Sequence, residues 1–304
     1  MKKVLLILVL FINTIMAKDI SPSEVYTQAI LIQDEIHYLL KHYNIKHNHQ
    51  SILARSIVQV SVEPRNVWQK TYEIMIKLNI LRGAYSLPIV APVNIPPVTQ
   101  LNPNLVYEQT QRILTELRIF ETRMDIKHLK HKPKIFKNKT PLDVFNILGG
   151  ISLAIDALNK NKVTPSYVFG ENMRVYDDIT LILSRLNISD KTIPAKKNSN
   201  STPNDTANTA IKILNKIKQL QLLSGIKFVD FSNLKRKIQT HSDVLSLIQM
   251  IISELQTIKV HLHIQNITPS AAQYALKTPA EVDQLMSWNL RKISLIRNLN
   301  GENR

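Results

Sequence analysis

Residues 21–39 read SPSEVYTQAILIQDEIHYL, and this design occurs eight times along the 304-residue chain. Take Pro22 as position 0. Ser21 before it is a residue type whose side chain accepts hydrogen bonds from free amides at a helix start. Pro22 suits the first helical position, where its missing N–H is not needed. Glu24 completes a capping-box pattern, and its charge favours the positive end of a helix. Val25, Ala29, Ile32, Ile36 and Leu39 then fall at +3, +7, +10, +14 and +17. That alternation of four and three is the seam of helices packed nearly parallel or antiparallel. It predicts a helix of about 20 residues, roughly 30 Å long.

The other anchors are Pro64, Pro103, Pro141, Pro165, Pro203, His241 and Pro279. Asn102, Thr140, Thr164, Thr202, Thr240 and Thr278 stand in the capping position, with Glu63 as the exception. Successive anchors are 42, 39, 38, 24, 38, 38 and 38 residues apart. The short step from Pro141 to Pro165 divides the array into two sets of four. The second set matches the first at an offset of 138 to 143 residues; Ile113–Leu117 aligns with Ile251–Leu255. The expected architecture is therefore all-α, a tandem helical repeat with a period of about 38 residues. Its two four-helix-bundle-like blocks would be related by internal duplication. A continuous α-solenoid is the alternative. The divisions are a signal peptide at 1–17, block one at 18–161, block two at 162–298 and a tail at 299–304.

The connections are longer than ordinary bundle loops. Segments of that length can run the height of a bundle, so up-down and up-up topologies both stay open. Gln50–Val58 and Ser270–Leu276 are expected to hold short helices. Pro88, Pro92, Pro96 and Pro97 force an extended, apolar strap at 87–98. Position +13 reads Glu35, Lys77, Glu116, Ala154, Asp178, Lys216, Glu254 and Lys292. These charges are expected to flank the seam and choose neighbours, each exposed pair contributing under about 1 kcal/mol.

Basic residues number 39 and acidic residues 23, a formal net charge of +16. The chain has no cysteine, which excludes disulfides, thiolate metal sites and a thiol nucleophile. Lys2 and Lys3, the apolar stretch Val4–Ile12 and the small Ala17 read as a secretory signal. That stretch is too short for a bilayer span of about 20 residues. No transmembrane span is expected after cleavage. Abundant Lys, Asn and Ile suggest an AT-rich bacterial genome. The protein is expected to be exported, to the periplasm or beyond. Its charge favours anionic partners. For an exported chain those are a protein or an anionic envelope component rather than nucleic acid.

No phosphate-cradling glycine loop, nucleophile elbow or metal-binding histidine pair is present. His261 and His263 sit two apart and diverge on a helix, as do the adjacent carboxylates Asp177 and Asp178. The reading is a non-catalytic scaffold without cofactor or metal, acting through its surface. Two basic loops are the candidate contacts: Lys127, Lys130, Lys132, Lys134, Lys137 and Lys139, then Lys235, Arg236 and Lys237. The alternative function is a periplasmic small-ligand binding or sensing bundle. Its pocket would lie at one end of block one among Tyr26, Trp68, Tyr107 and Phe145, each following the valine of its repeat. That pocket requires the four helices to run parallel.

Overall fold

The computed structural model describes residues 20–46, 61–130, 134–160, 162–230 and 240–300. The signal segment, the expected helix at Gln50–Val58, Lys132 and the Lys235–Lys237 knot lie outside these residues. Eight helices are described: α1 (Pro22–His42), α2 (Pro64–Ala84), α3 (Pro103–Arg123), α4 (Pro141–Leu158), α5 (Pro165–Arg185), α6 (Pro203–Leu223), α7 (His241–His261) and α8 (Pro279–Ser294). No strand occurs among the described residues. Each helix starts at its anchor. Reciprocal capping boxes close the starts of α1, α2, α4, α6, α7 and α8.

The helix ends are equally regular. In α1, α2, α3, α5, α6 and α7 a left-handed residue stands at +22: Asn44, Ser86, Asp125, Asn187, Gly225 and His263. The apolar residue after it returns its amide to the carbonyl at +18. These bonds run from Ile45 to Leu40, Leu87 to Arg82, Ile126 to Glu121, Ile188 to Leu183, Ile226 to Gln221 and Ile264 to Lys259. This is the Schellman stop, which satisfies carbonyls that the helix leaves open.

Helix α1 packs on α3 and α4, and α2 packs on the same two. Consecutive helices α1 and α2 are therefore diagonal partners in a ring of four. The second ring repeats this order: α5 and α6 each pack on α7 and α8. Two closed four-helix bundles result, and the continuous solenoid does not describe them.

Within each bundle all helices run parallel. Pro22, Pro64, Pro103 and Pro141 surround one narrow cavity together with Val25, Val67, Val106 and Val144. Deeper in the same bundle Ile32, Ile74, Ile113 and Ile151 are fully buried. In the second bundle Asn289 at +10 donates to Asn172 at +7, and Asn172 donates to the carbonyl of Val282 at +3. The long connections make this possible. A 21-residue helix rises about 31 Å, which an extended return of ten or more residues covers. Parallel dipoles add rather than cancel, so the capping acids Glu24, Asp143, Asp205, Asp243 and Glu281 each face a concentrated positive end.

The two bundles run in opposite directions. Only residues 159–164 join α4 to α5, too few to climb back along a helix. Bundle two therefore starts near the level where bundle one stops. The contact between α2 and α7 shows the reversal: Asn66 meets Ser253 while Glu73 meets Ser246. The proline segment 87–98 does lie as a strap, fixed by Asn79 to Val90 on both amide atoms and by Arg82 to the carbonyl of Pro88.

Two expectations need correction. Ser270–Leu276 is not helical; it is a strap whose backbone crosses α5 so closely that a Cβ on Gly170 would meet the Ala272 carbonyl oxygen at 2.7 Å. Most of the +13 charges are not exposed flanks: Glu35, Lys77, Asp178, Glu254 and Lys292 are buried. Nor do they pair at one level. Arg118 at +15 reaches Glu35, and Lys259 at +18 reaches Asp178. Helix α4 is long and apolar enough to cross a membrane, but it is the core helix of bundle one, with 72% of that stretch buried.

Candidate functional site

The lysine-rich segment 124–140 returns from the end of α3 to the start of α4 and is fastened over α1. Ile126 is buried. Phe136 meets Tyr26 edge-on at 5.1 Å. The Lys139 ammonium sits 4.5 Å from the centre of the Tyr26 ring, and its amide donates to Ser23 Oγ at 3.0 Å. Asn138 takes the left-handed conformation that turns the chain into this seat.

Segment 262–278 fastens over α5 in the same way. Ile264 is buried. Tyr274 meets Phe169 at 4.9 Å. Lys277 sits 4.5 Å from the Phe169 ring centre and donates its amide to Ser166 Oγ at 3.0 Å. Leu276 is the left-handed residue. Between these fixed points the two straps differ. The first carries Lys127, Lys130, Lys132, Lys134 and Lys137; the second carries no lysine before Lys277. Lys127, Lys130, Lys134 and Lys137 are exposed, and none pairs with an acid among the described residues. Ile135 stands among them, 85% exposed. Lys139 is half-buried and serves the fastening.

Beside this strap lies a buried acid pair that sequence reasoning missed. Glu35 on α1 and Glu121 on α3 are both fully buried. His128 Nδ1 lies 2.7 Å from Glu121 Oε2. Burial, together with the neighbouring Glu35, pushes the Glu121 carboxyl up to about 7 against the opposing pull of His128.

The four aromatics Tyr26, Trp68, Tyr107 and Phe145 share one end of bundle one, because its helices run parallel. They do not converge on the cavity there, whose wall is proline and valine. Trp68 and Phe145 are buried, and Tyr26 is covered by Phe136.

The wall between the bundles is polar. Glu73 takes hydrogen bonds from Lys70, Ser152 and Ser246, and Lys77 bridges it to Asp156. Burial acts to raise the Glu73 carboxyl, yet Lys70 and Lys77 hold it well below the usual carboxylate range. Further along, Gln69 donates to Gln249, and Gln249 donates to Glu171. Arg174 binds Glu171 at 2.6 Å and covers the Tyr72 ring. Where the bundles part, a cleft of about 400 Å³ opens. Its walls are α2 (Tyr72, Ile76, Asn79), the start of α5 and two straps, the proline segment 87–98 and segment 262–278.

Among the described residues no group of three histidines or acids could hold a metal ion. Comparison with protein families, curated proteins and solved structures finds no match.

Proposed function

We propose that the protein is an exported, non-catalytic binding protein. It engages an anionic protein or envelope component through the 124–140 strap. One observation carries this reading. Two straps make the same fastening contacts, and only one bears a run of lysines that are exposed and unpaired among the described residues, so the architecture does not require that charge. The recurring contacts also support the internal duplication read from the sequence. Export rests on the sequence of the first 17 residues alone.

The test replaces Lys127, Lys130, Lys134 and Lys137 together with Ser. Binding to an immobilised anionic polymer such as polyphosphate is measured at low and physiological salt. The native protein is expected to bind and to weaken steeply as salt rises. The quadruple variant is expected to lose at least ten-fold in affinity while keeping its helical content. Salt-insensitive binding, or an unchanged affinity in the variant, overturns the proposal.

A further inference from the structure

The inter-bundle cleft presents polar groups that the fold uses only in part. Helix α5 alone among the described helices has neither a side-chain cap bond nor a capping box, and its first turn holds no acid. Thr164, Ser166 and Tyr167 at this open start line the cleft. A positive helix end with uncapped amides attracts a carboxylate or similar anion.

Two mostly buried side chains on the same cleft each keep one polar atom that no described residue bonds in hydrogen-bonding geometry. The Tyr72 hydroxyl, on a residue 4% exposed, has Ser270 as its polar neighbour but no partner in full hydrogen-bonding geometry among the described residues. Glu171 is equally buried; its Oε2 is taken by Arg174 and Gln249, while its Oε1 accepts no bond among the described residues. Tyr167 and Glu171 are four residues apart and share a helix face. The helix start and Glu171 lie about 6 to 7 Å apart along the axis. That is close to the reach of an amino-acid head group with a hydrogen bond at each end.

The lining decides between ligand charges. It contains no lysine or arginine, and Glu171 is its single charged residue. A simple anion would meet Glu171. A simple cation would meet the helix end, with Arg174 behind it. A molecule carrying both charges satisfies each in turn. Ile76, Ile89 and Pro92 form an apolar wall, and Tyr167 and Tyr274 supply rings for a side chain. A volume of this size suits small ligands.

We infer that this cleft binds a small zwitterion of the α-amino-acid type. Its carboxylate rests on the open start of α5 and its ammonium on Glu171 Oε1. The site is separate from the basic strap, and its fate is independent of that reading.

Calorimetric titration of the full chain tests it with L-phenylalanine, L-leucine, 2-phenylethylamine and 3-phenylpropionate. At least one amino acid is expected to bind, with both single-charge analogues at least ten-fold weaker than L-phenylalanine. Ile89→Trp fills the cleft from a strap residue that is 55% exposed. It is expected to abolish binding without lowering the melting temperature. Glu171→Gln is expected to lose ten-fold or more. If that variant does not fold, Tyr167→Ala, at a 42% exposed ring, takes its place with a loss of at least three-fold expected. The inference is overturned if neither amino acid binds, if an analogue binds as tightly, or if Ile89→Trp binds like the native chain.

Discussion

Ser246 Oγ on α7 donates to Glu73 Oε1 on α2 at 2.9 Å, across the wall between two antiparallel bundles. Glu73 balances Lys70 and, together with Asp156, Lys77 in that wall, and all four are buried. Removing one member of a buried charge group leaves the others uncompensated, at a cost of about 3–5 kcal/mol. Glu73→Ala is therefore expected to destabilise by that amount in urea unfolding. Ser246→Ala removes a single hydrogen bond and is expected to cost about 1–2 kcal/mol. Equal effects for the two would show that charge balance is not what holds the wall.

The Glu35–Glu121 pair sets a pH dependence. Burial raises the Glu121 carboxyl from 4.5 to about 7, so the folded chain holds a proton that the unfolded chain releases. Stability is then greatest below the unfolded value and declines as pH rises from about 4.5 to about 7. A tenfold difference in proton affinity between the two states corresponds to about 1.4 kcal/mol, reduced here by His128, Arg118 and screening from solvent. Glu121→Gln, which keeps a hydrogen-bonding neutral group, is expected to flatten the decline by about 1–2 kcal/mol. Melting temperatures of the two proteins between pH 4 and pH 8 measure this. Parallel curves would dismiss it.

Leu276 is 95% exposed and holds a φ of 59°. A branched side chain gains nothing there and strains the left-handed backbone. Leu276→Gly or Leu276→Asn is expected to stabilise by about 0.5–1 kcal/mol. Ser86→Gly, at the helix stop of α2 with a φ of 57°, follows the same argument. A lowered urea midpoint for these variants would contradict it.

Gly170 is where the second strap crosses α5. A methyl group there must push the Ala272 carbonyl away. Gly170→Ala is expected to cost about 1–3 kcal/mol despite alanine's better helix propensity. The strap residues beside Ala272 line the cleft, so hydrogen exchange across 270–274 should rise in this variant. A stabilised Gly170→Ala would mean the strap yields freely.

The helix starts were legible because caps, prolines and acids act within one turn. So was the buried stripe: Ile32, Ile74, Ile113 and Ile151 fall at one repeat position and are all fully buried. The Schellman stop was also written in the sequence, as an apolar residue at +23 from Ile45 to Ile264, though the stripe reading ended before it. The inter-bundle cleft was not legible. Tyr72, Glu171 and Tyr274 belong to different repeats and different repeat positions, and only the crossing of α2, α5 and a strap assembles them. Glu121 and His128 likewise gave no signal, since an acid followed by a basic strap reads as solvated surface.

By itself the sequence determined eight rods, their ends and their oily faces, since each depends on contacts within a few residues. Connection length left the direction open, since a long return permits parallel helices without requiring them; only the structure shows the helices of each bundle parallel and the second bundle reversed after the short step at residues 159–164. Only the tertiary structure decided that consecutive helices sit diagonally, that the +13 charges are sealed in, and which partner each one finds. Those outcomes turn on the stagger between neighbouring helices, and stagger is set by side chains meeting across a gap that no local pattern records.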